Sequence, residues 1–246
     1  PAFLLHTTPV PYFLKKLLVS LLNIAVPGMG FALLGFYHYA VLTQTVLLLI
    51  TTLLCWSRGI FLPSGVWLLL LMMITVPLVS TGFLAAQYYR QRPGWQVKHG
   101  VVGVVFAAVS AALFYGGFIT KHQWLGVHIN FVPSPSMQPT LEPGDFILVD
   151  TWRYRYHAPA INDVVTFTSS QHEGLLVKRI QPWPGTDAIE QHGGYFVMGD
   201  NRPYSTDSRR FGGISREQIQ GQVRLVLFSL DRDLSPRPHR WLRSVE

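Results

Sequence analysis

Pro133-Ser134-Pro135-Ser136-Met137-Gln138-Pro139-Thr140-Leu141 divides the chain into two unlike halves. Its prolines each fix φ and remove a backbone donor, so neither a helix nor a central strand is expected here. What remains is a stiff, extended turn. Ser134 and Ser136 lie two residues apart, which puts both hydroxyls on one side of an extended chain. Pro143-Gly144-Asp145 turns the backbone again, into Phe146-Ile147-Leu148-Val149, a run with the composition of a strand. Taken alone, the stretch could equally be a proline-rich connector, and its surroundings have to decide.

Downstream, short apolar or alternating segments recur at 146–151, 163–168, 175–180, 195–198 and 223–230. Turn residues separate them: Pro143-Gly144, Pro182-Trp183-Pro184-Gly185 and Gly193-Gly194. Residues 121–246 are therefore expected to form a β-rich domain. The tail from Asp231, with Pro236, Pro238 and several arginines, is expected to be an exposed end. Trp152-Arg153-Tyr154-Arg155-Tyr156 alternates aromatic and basic residues, the pattern of a strand edge resting on lipid headgroups.

Upstream the composition changes. The whole chain of 246 residues is 49% apolar and only 13% charged, against about 25% charged in an ordinary soluble domain. The net charge of +7 is also unevenly placed. Residues 1–120 carry Lys15, Lys16, Arg58, Arg90, Arg92 and Lys98 and no acid, whereas residues 121–246 nearly balance. The basic excess thus sits in the apolar half, where it acts as a topology signal and gives no support to a nucleic-acid partner. Residues 1–120 are expected to form an α-helical membrane domain with three spans near 40–56, 63–89 and 101–119. The last is an uncharged run of 19 residues, long enough for a hydrocarbon core of about 30 Å. Pro77 interrupts the second, which a membrane helix tolerates. The stretch 13–37, broken by Pro27-Gly28-Met29-Gly30, is expected to lie in the interface or to re-enter. With that count Lys15 and Lys16 share the cytoplasmic side with Arg90, Arg92 and Lys98, and everything after Lys121 is extracytoplasmic. No small-residue cleavage pattern follows Lys15-Lys16, so a cleaved signal peptide is not expected.

The chemistry-bearing residues fall in the second half. Lys178 and Arg179 are adjacent in the strand-like run Leu175–Ile180, so they point to opposite faces and one of them faces the core. A lysine there is desolvated, its pKa falls, and it can act as a neutral base; otherwise it is a solvated edge lysine. Gly199-Asp200-Asn201-Arg202-Pro203-Tyr204-Ser205-Thr206-Asp207-Ser208-Arg209 is the densest polar run and suits a charge-paired loop that holds a site. The nine histidines and the single Cys55 form no close metal-binding spacing, so neither a metal nor another cofactor is expected. A Ser-His-Asp triad, assembled in space, stays open on spacing alone. His157, His172 and His192 have the setting of loop residues.

Four stretches taken in order resemble the boxes of bacterial type I signal peptidases, the membrane-bound Ser/Lys endopeptidases of the S26 family. They are Pro133–Leu141, Asn162-Asp163-Val164-Val165-Thr166-Phe167, Val177-Lys178-Arg179-Ile180, and Gly199–Arg202 with Ser205–Arg209. The resemblance covers roughly residues 131–229. It implies Ser136 as nucleophile and Lys178 as general base, with Ser134 and the backbone N–H of Ser136 forming the oxyanion hole. It further implies that Ser205 positions the lysine amine and that Asp207, Arg209, Asp200 and Arg202 support the site. Implied partners are preproteins with signal peptides, cut after Ala-x-Ala-like motifs, and the lipid bilayer; the implied location is the bacterial inner membrane. Alternatives are a peptidase dedicated to one substrate such as a pilin precursor, or a non-enzymatic membrane protein with a peptidase-like domain. The chain departs from the pattern at Asn162, where Gly is usual, and at Pro203-Tyr204, where Asp-Asn is common. Only about twenty residues separate Lys178 from Gly199, so the inserted subdomain of some members is missing.

Overall fold

The computed structural model describes residues 11–91, 96–169 and 172–245. Five helices come first: α1 (Tyr12–Ala25), α2 (Met29–Leu33), α3 (Tyr37–Trp56), α4 (Pro63–Gln91) and α5 (Val97–Trp124). Among the described residues, α3, α4 and α5 are the helices long and apolar enough to cross a membrane. Arg92, assigned above to the cytoplasmic basic cluster, lies outside the described residues. At 14 residues, α1 is about 21 Å long, shorter than a hydrocarbon core.

The chain divides into two compact units, 1–53 with 68–119 and 54–67 with 120–246. Within the first, the break between α1 and α2 is organised by Asn23, which is fully buried. Its Nδ2 donates to Ser80 Oγ and Thr81 Oγ1, each at 3.0 Å. Its Oδ1 accepts from the N–H groups of Gly28 at 3.1 Å and Gly30 at 3.2 Å. The amide's four hydrogen-bonding positions are thereby filled, which a polar side chain among apolar helices requires. Gly28 adopts φ +95, and a Cβ at Gly30 would meet Leu84 and Asn23, so the turn needs both glycines. Val19, Phe31, Ala40 and Leu84 close around it.

In the second unit, the connection from α3 to α4 packs on the start of the sheet. Arg58 Nη1 lies 3.3 Å from Asp150 Oδ1, and its guanidinium stacks over Trp152 at 5.0 Å. Trp56 Nε1 donates to the Trp124 carbonyl at 3.1 Å. After α5 only Leu125 and Gly126 precede β1 (Val127–Phe131). The chain continues through β2 (Asp145–Asp150), α6 (Arg153–Tyr156), β3 (Val164–Ser169), β4 (His172–Gln181), β5 (Glu190–Gln191) and β6 (Gly194–Met198). It ends with α7 (Ser208–Phe211), β7 (Ile214–Ser215), β8 (Ile219–Ser229) and β9 (Arg243–Ser244).

The strands form an antiparallel sheet in the order β1-β2-β8-β3-β4-β6-β5, with β7 added to β6 and β9 to β8. Apolar helices followed by an antiparallel β domain are the architecture expected from the sequence. β-branched and aromatic residues fill the strands because side chains at alternate positions pack on either face. On one face Val132, Met137, Leu141, Ile147, Val149 and Val226 cluster; on the other, Tyr154, Phe167, Ile180, Tyr195, Val197 and Ile214.

One expectation fails and another is qualified. Trp152–Tyr156 is no strand edge. Asp150 Oδ1 accepts from Trp152 N at 3.0 Å, and the backbone coils into α6. Tyr154 is then buried, with its hydroxyl donating to Asp163 Oδ2 at 2.8 Å. The C-terminal tail is exposed along most of its length, as expected, but it is tied down: β9 pairs with β8, and Arg240 is only 2% exposed.

Candidate active site

Ser136 sits in a single 3₁₀ turn, Pro135–Met137, entered from an extended Ser134. Pro135 pre-sets φ for that turn. Met137 and Leu141 are buried in the core below, and Leu141 N donates to the Met137 carbonyl at 2.9 Å. Anchored at these apolar residues, the loop carries Ser136 above the sheet. Ser134 Oγ accepts a hydrogen bond from Ser136 N at 3.2 Å.

Lys178 reaches this turn from β4. Its register partner is Val165 on β3, while Arg179 pairs with Met198 on β6, so the chain leaving β6 at Gly199 arrives beside the lysine. Lys178 is 4% exposed, and its Nζ is hydrogen-bonded to Ser136 Oγ at 2.8 Å. Nζ also donates to the Val177 carbonyl at 3.0 Å. Burial pulls the lysine pKa below its ordinary value, against the opposing pull of Asp207 and Asp200. A lysine with a lowered pKa beside a serine hydroxyl is chemically a base paired with a latent nucleophile.

The polar loop after β6 braces both groups. Asn201 N donates to the Ser136 carbonyl at 3.0 Å, and Asn201 Nδ2 to the Pro135 carbonyl at 3.1 Å. Asp207, fully buried, accepts from Gly199 N at 3.0 Å and from Arg209 Nε at 2.8 Å. Burial alone would raise the Asp207 pKa; Arg209, the Gly199 N–H and the nearby Ser205 hydroxyl outweigh it and hold the carboxyl down at about 2. Arg209 Nη2 also donates to the Arg202 carbonyl at 2.8 Å.

Ser205 Oγ is buried near the Asp207 carboxylate, without reaching full hydrogen-bond geometry to any partner. It lies against Gly199, where a Cβ would collide with Ser205 Oγ and with the Ser136 carbonyl. The close approach of the loop to Ser136 thus requires a residue without a side chain.

The site residues named from the sequence come together around Ser136 and Lys178, with two differences: Ser205 Oγ makes no hydrogen bond to Lys178 Nζ, whose partners are Ser136 Oγ and the Val177 carbonyl, and Asp200 finds its partner outside its own loop. Asp200 pairs with Arg179, through Nε at 2.9 Å and Nη2 at 2.9 Å, while the Arg202 side chain is exposed. Arg179 Nη2 further donates to Thr140 Oγ1 at 3.2 Å. No local pattern singled Arg179 out, although its position next to Lys178 on the opposite strand face was the available signal. Asn162 adopts φ +70, the left-handed region that Gly and Asn tolerate, which accounts for its type at that position. Among the described residues, no His, Cys, Asp or Glu cluster could hold a metal ion.

The family model described as "Signal peptidase, peptidase S26" matches residues 99–192 and 187–228, more than half of the chain. The "Probable signal peptidase I-1" of Synechocystis sp. is 25% identical over 177 residues, covering 56% of this chain and 86% of that protein. "Signal peptidase I V" of Bacillus subtilis is 27% identical over 136 residues, covering 37% and 80%. The human "Mitochondrial inner membrane protease subunit 1" is 26% identical over 161 residues, covering 58% and 96%. The chain belongs to the signal peptidase S26 family.

Proposed function

We propose that this member of the S26 family is a membrane-bound signal peptidase that frees secreted proteins by hydrolysing the bond after an Ala-x-Ala-like motif. The observation that carries this reading is the 2.8 Å separation of Lys178 Nζ from Ser136 Oγ, with the lysine 4% exposed. Neutral Lys178 takes the Ser136 hydroxyl proton as Oγ attacks the scissile carbonyl carbon. Negative charge on the carbonyl oxygen is met by the Ser136 N–H and the Ser134 hydroxyl. The Lys178 ammonium then protonates the departing amine, which leaves as the N-terminus of the mature protein. Water, deprotonated by Lys178, attacks the ester on Ser136 and releases the signal peptide carboxylate.

In this reading the catalytic domain faces the extracytoplasmic side of a bacterial inner membrane. Lys15, Lys16, Arg90 and Lys98 favour cytoplasmic placement of the opposite ends of the spans. The bond between Arg58 and Asp150 supports placing the connection from α3 to α4 on the same side as the sheet.

Cleavage of a preprotein in proteoliposomes by wild type, Ser136→Ala and Lys178→Ala tests the reading. Cutting after a small residue that both substitutions abolish is the expected result. Activity that survives Lys178→Ala would identify a different base, and an inert wild type would favour a dedicated substrate or a non-enzymatic role.

A further inference from the structure

Arg240 lies beyond the residues that match the family, twelve positions after the match ends at 228. It is 2% exposed, and its hydrogen bonds go to three positions on one short stretch of chain. Nε donates to Asp145 Oδ1 at 2.9 Å and Nη2 to Asp145 Oδ2 at 2.6 Å. Nη1 donates to Glu142 Oε1 at 2.8 Å, and Nη2 also to the Thr140 carbonyl at 3.2 Å. Residues 140, 142 and 145 form the limb that leads away from the Ser136 turn. Asp145 is further fixed by Ser229 Oγ at 2.6 Å and Glu142 N at 2.8 Å.

Thr140 is consequently held from two sides. Arg179, the residue next to Lys178, grips its hydroxyl; Arg240, from the C-terminal tail, grips its carbonyl. Each guanidinium is itself locked by a bidentate carboxylate, Asp200 for Arg179 and Asp145 for Arg240. Between Thr140 and Ser136 the chain has little slack. Leu141 N is bonded to the Met137 carbonyl, Gln138 N to the Pro135 carbonyl, and both Met137 and Leu141 are buried. A displacement of Thr140 is therefore passed on to Ser136, while Lys178 stays with its strand.

A buried ion pair is a poor route to stability as such, because desolvation offsets much of the attraction. A planar guanidinium that spans a carbonyl and two carboxylates is instead a device for fixing geometry. We infer that Arg240 is a positioning residue for the nucleophile: through Thr140, Glu142 and Asp145 it sets where Ser136 stands relative to Lys178. The inference rests on the Ser136–Lys178 reading above.

Arg240→Lys keeps a cation near Asp145 but cannot reach Thr140 and both carboxylates at once. Glu142→Gln weakens one anchor at a half-buried position, together with the bond that Arg237 Nη1 makes to Glu142 Oε2 at 2.7 Å, and leaves the Arg240–Asp145 pair intact. Both variants would be measured as full-length protein in proteoliposomes, well below their melting temperatures, with kcat normalised to folded enzyme. The expected result is a kcat lowered about 10- to 100-fold in Arg240→Lys, from a misplacement of the order of an ångström. Glu142→Gln is expected to lose a few-fold, and both should keep KM and the acid limb of the pH profile. A lowered melting temperature with unchanged kcat per folded molecule would make Arg240 a structural brace and overturn the inference. If Arg240→Lys does not fold, Glu142→Gln decides: an unchanged kcat overturns it. Hydrogen exchange separates this from failure of the peptidase reading. Even with no activity in wild type, the amides of Leu141 and Asn201 should lose protection in both variants while those of Ile180 and Val197 keep theirs; equal protection everywhere overturns the positioning role.

Discussion

Ser134 Oγ accepts a hydrogen bond from the backbone N–H of Ser136, 3.2 Å away. These are the two groups proposed to face the developing oxyanion, and in the free chain they face each other. The N–H is thereby satisfied until a substrate carbonyl arrives, when the hydroxyl has to rotate from acceptor to donor.

Ser134→Ala removes both the placeholder and the second donor. Loss of one oxyanion donor costs about 10²–10³ in rate, so kcat is expected to fall by that factor with little change in KM. Single-turnover cleavage of a preprotein measures it, and an unchanged single-turnover rate would place the oxyanion elsewhere.

A lysine acts as a base only when neutral, which the role proposed for Lys178 requires. Burial lowers its pKa from the ordinary lysine value, so activity is expected to rise with pH along an acid limb whose midpoint lies below about 10.5. Lys178→Arg should be inactive at every pH, because guanidinium stays protonated throughout the accessible range. A kcat profile without an acid limb would argue against lysine deprotonation as the controlling step.

The same shift has a thermodynamic side. With the folded pKa below the unfolded one, the unfolded chain binds more protons between the two values, and stability rises with pH across that window. Below the window the wild type bears the cost of a buried ammonium. Lys178→Met is therefore expected to melt higher than wild type at neutral pH, by a shift on the order of a few degrees. The gap should narrow as pH rises towards the ordinary lysine value, as calorimetry of the two proteins in detergent would reveal.

Gly199→Ala is expected to cripple the site without any conformational strain, since the obstacle is steric. The added methyl meets Ser205 and the Ser136 carbonyl together, so the polar loop must retreat from the nucleophile. A drop in kcat of about 100-fold is expected from displaced catalytic groups. Wild-type kcat in a well-folded Gly199→Ala protein would show that the loop can move without consequence.

Much of this molecule is legible in its sequence. Apolar runs at 40–56, 63–89 and 101–119 fall in the long helices, and the alternating segments fall in the principal strands, because both patterns are local. Ser136 and Lys178, 42 residues apart in sequence, were paired only through the order of the four boxes. What stayed hidden depends on distant partners. Arg240 in a proline- and arginine-rich tail resembles any solvated cation until Asp145, 95 residues away, is seen opposite it. Trp152–Tyr156 has strand-like alternation, but the Asp150 carboxylate accepts the Trp152 N–H and starts a helical turn instead. The run 199–209 reads as a loop paired within itself, whereas the bidentate partner of Asp200 comes from the neighbouring strand, as Arg179.

The Arg58–Asp150 pair means that the soluble-looking half is not separable by a single cut. A fragment starting at residue 120 would leave behind the cation that faces Asp150 and one of those that cover the Trp152 ring. Burial already holds the Asp150 carboxyl above its ordinary pKa, against the pull of Arg58, and removing that cation raises it further. Anyone preparing the peptidase domain for inhibitor work therefore has to transplant the connection at 56–62 with it, or neutralise Asp150 to asparagine.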